Sequence, residues 1–176
     1  MQGPTHLVTG ILIQRCLKNV RPLPVQYASV AGLALLSHGI LDRLAKATYH
    51  PPTPLFDDWF WILSHVTVFL LTVFIIIKFW RDCKFAMACS VLPDFDWIVR
   101  AIGKWLFSGY GDQTPIHTLI LRLINFVIPH NVWNLLPNWN LARKGLLVEI
   151  VFFLIILVFI YVLQKRSRET KDPISE

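Results

Sequence analysis

Long uncharged stretches alternate with short polar breaks along this chain, and the breaks decide its architecture. Residues 59–77 (WFWILSHVTVFLLTVFIII) run without a formal charge, and residues 146–163 (LLVEIVFFLIILVFIYVL) carry one, Glu149. Each approaches the roughly 20 apolar residues a helix needs to cross a bilayer core. Residues 25–41 (VQYASVAGLALLSHGIL) are shorter and rich in small residues, the composition of a helix packed against other helices. The other apolar segments are interrupted: 6–17 by Arg15, 85–107 by Pro93 and two aspartates, and 115–130 by Arg122. Such segments are tolerated at membrane depth only where protein or a water-filled cavity surrounds them. The pattern predicts an all-α polytopic membrane bundle of four to six helices, some short or broken, over residues 1–164. A charged cytoplasmic tail follows over 165–176, and residues 130–140 read as an interfacial loop with Trp133 and Trp139 at headgroup level.

Composition agrees with that pattern. The 176 residues are 55% hydrophobic and 16% charged, with a mean hydropathy of +0.52. A soluble domain averages about 45–50% apolar and roughly 25% charged residues. Disorder and an ordinary soluble core are both excluded. The net charge of +6 does not imply a nucleic-acid partner, because the basic residues flank apolar runs, where membrane topology accounts for them. Asp57 and Asp58 precede the 59–77 span, while Lys78, Arg81 and Lys84 follow it. Residues 78–84 and the tail (Lys165, Arg166, Arg168, Lys171) are therefore expected on the cytoplasmic side, with Asp42, Arg43 and Lys46 on the other. Cys16, Cys83 and Cys89 form no recognisable framework and read as buried free thiols. The N-terminal residues lack the basic region of a cleavable signal peptide.

The polar residues within apolar sequence are the informative ones, since an aspartate at the centre of a membrane helix costs about 2.5–3.5 kcal/mol on insertion scales. His38 and Asp42, four apart, share one helical face, where an imidazole and a carboxylate can bind a single ion. A helix-capping His–Asp bond, or a pairing of Asp42 with Arg43 or Lys46, accounts for them equally well. In Leu92-Pro93-Asp94-Phe95-Asp96 the proline ends one run and the acids open the next. Asp94 alone reads as an N-cap and Asp96 as a charge at the positive helix end; two acids in one apolar segment are harder to dismiss. His6 and His117 each open an apolar run after a proline, and His65 lies inside the 59–77 span. Each alone reads as an interfacial or internally bonded histidine; His50 and His130 read as interfacial. The expected topology brings His6, His38, Asp42 and His65 to the outer half of the membrane, Asp94 near mid-depth, and Asp96 and His117 further out. Imidazoles and carboxylates at one level are the N/O donor set of a divalent ion, Zn2+ first, with Mn2+ or Fe as alternatives.

Four short blocks resemble a known family. They are Thr5-His6-x-x-x-Gly10, Ser37-His38-x-x-x-Asp42, Leu92-Pro93-Asp94-x-Asp96 and His117-Thr118. Together they are similar to blocks of small bacterial integral-membrane metal-dependent hydrolases, including the LexA-regulated inner-membrane hydrolase family. The order departs from that family, where the Leu-Pro-Asp block comes first, and its His-Arg-x-x-Thr-His-Ser block has no counterpart here. The resemblance implies a bacterial inner-membrane protein with a divalent-metal site lined by these residues. It also implies an all-helical arrangement like that of zinc phospholipase C.

Three functions remain open on the sequence. The first is a metal-dependent hydrolase acting on a phosphoester or lipid-linked substrate, with His6, His38, Asp42, Asp94 and His117 as ligands. Asp96 or His65 then serves as general base or as an orienting partner. The second is a small metal or proton transport pathway through the same residues. The third is a non-catalytic membrane scaffold whose basic tail meets anionic lipid.

Overall fold

The computed structural model describes residues 2–51, 53, 55–107, 111 and 114–169, and every described element is helical. Six helices exceed ten residues: α1 (Gly3–Cys16), α2 (Leu23–Leu44), α3 (Trp59–Val91), α4 (Phe95–Leu106), α5 (Pro115–Val127) and α7 (Gly145–Glu169). Between α5 and α7 lies a five-residue α6 (His130–Asn134), and two 3-10 turns, Ala45–Ala47 and Leu92–Asp94, end α2 and α3. The stretch expected as a tail from residue 165 continues α7 as far as Glu169; residues 170–176 lie outside the described residues.

The shortest of the first three helices is the most enclosed. In α1 every residue from Pro4 to Val8, with Gly10 and Ile11, is buried, as an all-round apolar helix must be. It packs against α2, α3 and α7. Leu7, Val8 and Ile11 form the main core with Ile75, Cys83, Met87, Ile156 and Ile160. Helices α3 and α7 each contain an apolar stretch long enough to cross a membrane. Little of either apolar stretch is buried within the protein: Leu63, Phe69, Phe74 and Ile77 of α3 and Leu147, Leu154 and Val158 of α7 are exposed.

Helix α3 is broken at Cys83, whose φ of −129° and ψ of 16° are not helical. In a regular turn the Ala86 N–H would bond the Asp82 carbonyl. The side-chain amide of Gln14 on α1 takes the place of both partners. Its Nε2 donates to the Asp82 carbonyl (2.7 Å) and its Oε1 accepts from the Ala86 N–H (3.3 Å). The arm after Cys83 folds back on α1 and delivers the Leu92–Asp94 turn to the start of α1 and the end of α2. Gly10 makes this approach possible, since a Cβ there would lie 2.7 Å from the Ala86 carbonyl oxygen and 2.9 Å from Ser90 Oγ.

Two local expectations are corrected. Trp133 is not at an interface but buried with Ile120 and Ile124, filling the gap that α6 closes over α5 and α2. Cys16 is exposed, and of the three free thiols only Cys83 is buried. Glu149 is also buried, and its Oε1 accepts hydrogen bonds from the Gln2 backbone N–H and the Thr5 hydroxyl. It thereby ties α7 to the first turn of α1.

Candidate metal centre

Four elements deliver polar side chains to one point: the first turn of α1 (His6), the last turns of α2 (His38, Asp42), the Leu92–Asp94 turn (Asp94) and the first turn of α5 (His117). His6 and His38 are fully buried, His117 nearly so, and Asp42 and Asp94 are part-exposed. Asp42 lies at the centre. Its Oδ2 is 2.9 Å from His117 Nε2 and 3.2 Å from His38 Nε2, and its Oδ1 is 3.4 Å from His6 Nε2. His38 Nε2 also lies 3.4 Å from His117 Nε2 and 3.6 Å from Asp94 Oδ1.

Each side chain is aimed by its surroundings. His38 Nδ1 donates to the Ser90 carbonyl (2.7 Å), which leaves the Nε2 lone pair of the neutral ring pointing at the cluster. His6 stacks on His38, with ring centroids 4.1 Å apart. Asp94 sits at the N-cap of α4, but its side chain makes no capping bond, so the capping role is not what holds it. Its Oδ1 faces His38 instead. Close packing of α2 on α5 brings His117 within reach. A Cβ on Gly39 would meet Ile120 and Ile124 at 2.5 Å.

Two sequence-predicted residues stand apart from the ligand atoms. Asp96 is buried and accepts the backbone N–H of His117 (2.8 Å), with its Oδ2 4.0 Å from His117 Nδ1. It positions His117 and does not face the cluster. His65 is not brought to the cluster at all. Its Nδ1 donates to the Trp61 carbonyl (2.8 Å) and its ring stacks on Trp61 at 3.9 Å, the local bonding expected of a histidine inside a helix.

The donor set fits a metal ion. With His38 Nδ1–H committed to Ser90, His38 Nε2 faces two carboxylates and a nitrogen, His117 Nε2, whose own nearest partner is Asp42. A cation bound at this convergence of lone pairs and carboxylates would neutralise it. Metal–ligand bonds of 2.0–2.2 Å put neighbouring ligands roughly 2.8–3.6 Å apart in tetrahedral or octahedral arrangements. The five separations given above, 2.9–3.6 Å, fall within that interval, and within each triad the ligand atoms lie within 4.8 Å of one another. His117 Nδ1 is buried without a hydrogen-bond partner, 4.0 Å from Asp96 Oδ2, so Asp96 holds the His117 backbone and not its ring. Two triads, His6–His38–Asp42 and His38–Asp94–His117, share His38.

A polar cavity of about 290 Å3 opens beside Asp42, lined by Arg43, Lys46, His50, His130 and Asn134 among others. Sequence reasoning treated Arg43 and Lys46 as flanking charges and the two histidines as interfacial. Nothing in local spacing signals that the loop after α2 and the turn of α6 meet. Lys46 Nζ reaches the Trp133 carbonyl of α6 (3.4 Å), and hydrogen bonds from the His50 N–H to the Asn140 carbonyl (2.9 Å) and from the Trp139 N–H to the Lys46 carbonyl (2.8 Å) tie in the segment after α6.

Comparison of the chain with protein-family models, curated proteins and solved structures gives no match.

Proposed function

We propose that the chain is a polytopic membrane protein that holds one divalent metal ion at the His6–His38–Asp42–Asp94–His117 cluster. We further propose that it uses the ion to hydrolyse a phosphoester or lipid-linked substrate. The observation that carries this reading is the meeting of three imidazoles and two carboxylates, from four separate elements, at metal-ligand spacing. Zn2+ suits the mixed N/O set best, with Mn2+ and Fe as alternatives. The bundle places the cluster where α1 begins and α2 ends, the end that the lysine and arginine pattern puts opposite the cytoplasm. The exposed apolar faces of α3 and α7 support a membrane setting, and the resemblance of the four blocks points to a bacterial inner membrane.

When bound, a divalent ion supplies Lewis acidity and activates water for attack on the scissile group. The residues do the rest. His6 and His38, fully buried, exclude water from the protein side of the site. Part-exposed Asp42 and Asp94 form the face open to substrate. Asp96 fixes the turn that carries His117. The test is hydrolysis of bis-p-nitrophenyl phosphate and of detergent-dispersed phosphatidic acid by the purified protein. Activity that needs added Zn2+ or Mn2+ and disappears in Asp42→Asn and His38→Ala is the expected result. Equal turnover by wild type and both variants, or none with any of these metals, overturns the hydrolase reading.

A further inference from the structure

The cavity beside Asp42 joins the metal cluster to two cations with no carboxylate partner of their own. Arg43 donates from one Nη to Asn125 Oδ1 (3.1 Å), and its buried Nε has no hydrogen-bond partner. Lys46 Nζ reaches only the Trp133 carbonyl, at 3.4 Å. Among the described residues neither forms an ion pair, although Arg143 close by does, with Asp58 at 3.1 Å. His50, His130, Asn134 and Asn140 add further polar groups to the wall. Among the described residues Asp42 is the single acid lining this space, and its carboxylate is turned toward three imidazoles.

We infer that this cavity is an anion site that takes a phosphoryl group and sets it against the cluster, a reading that rests on the metal site proposed above. Guanidinium and ammonium groups are the usual partners of phosphate oxygens, Arg as a planar fork and Lys as a point charge. Two part-buried cations lining one cleft raise the positive potential in that space. A volume of about 290 Å3 lies at the low end of ligand pockets, which run roughly 300–1,000 Å3. It admits a phosphorylated head group and leaves acyl chains outside. Exposed apolar residues that could meet such chains stand next in sequence to Asn134, Asn140 and Asn125: Leu135, Leu141 and Phe126 are 84%, 69% and 91% exposed. The substrate class narrows accordingly from phosphoester or lipid-linked compounds to those that present a terminal or bridging phosphate.

The test uses the full chain in phosphatidylcholine nanodiscs, with metal content measured on every sample. Calorimetric titrations use two probes, inorganic phosphate and dihexanoyl phosphatidic acid. Wild type is expected to bind at least one of them. Arg43→Ala should weaken that binding about tenfold or more, the loss expected for one charge-assisted contact, with metal content unchanged. Lys46→Gln keeps a donor for the Trp133 carbonyl while removing the charge, so it provides a second arm if Arg43→Ala fails to fold. Tighter binding of the lipid phosphate identifies a head-group site, and equal binding identifies a site for phosphate itself; either supports the assignment. Metal-loaded wild type that binds neither probe, or variants that bind as wild type does, overturn it. If phosphate binding depends on Arg43 and Lys46 while no sample holds metal, the metal reading fails and the anion site stands.

Discussion

With the Nδ1–H of His38 given to the Ser90 carbonyl, its Nε2 lone pair is committed to whatever cation occupies the cluster. That commitment is made by backbone, so it could not be read from side-chain spacing. The i, i+4 relation of His38 and Asp42 was legible, and so was the oddity of Asp94 and Asp96 in apolar sequence. In the sequence Asp94 reads as a ligand and Asp96 as a base or orienting partner; what spacing could not supply was the backbone N–H through which Asp96 meets His117. Asp94 aims at the cluster, while Asp96 accepts the buried N–H of His117. Asp96→Ala leaves that N–H without a partner, a loss of about 1–3 kcal/mol. It should lower the thermal midpoint in detergent and weaken metal affinity about 10–100-fold, the usual cost of losing an orienting partner. Asp96→Asn, which keeps an acceptor oxygen, should restore most of the stability. His65→Ala should leave metal affinity unchanged in the same titration, since the ring is bonded within α3.

Hydrophobic runs announced the elements, and turns decided where they went. Helices α3 and α7 begin within a residue of the apolar stretches that predict them. The reversal at Cys83 was hidden, because the sequence on both sides is helix-forming and no Gly or Pro marks it. Its partner is Gln14, sixty-nine residues earlier and on another helix. Gln14→Leu removes both bonds to the broken turn and should cost about 1–3 kcal/mol, read as a lower midpoint in a thermal-shift assay. The two close approaches should rank in order. A methyl at Gly10 meets a backbone carbonyl, which cannot turn aside, whereas one at Gly39 meets only side-chain methyls, the Cγ2 of Ile120 and the Cδ1 of Ile124. Gly10→Ala should therefore destabilise more than Gly39→Ala, within the range of about 1–3 kcal/mol typical of overpacking.

At the scale of the whole molecule, the ligands come from positions 6 to 117, so a bound ion links α1, α2, the turn before α4 and α5. An ion that binds only this folded arrangement stabilises it, by about 2.7 kcal/mol when present at a hundred times its dissociation constant. Chelation should lower the midpoint of wild type and leave that of His38→Ala unmoved. The most direct measurement is metal per chain, by mass spectrometry, on monodisperse wild type, His38→Ala and Asp42→Asn. The account predicts about one divalent ion per wild-type chain and loss of most of it in both variants. Substoichiometric metal in wild type, or full occupancy in the variants, would contradict it.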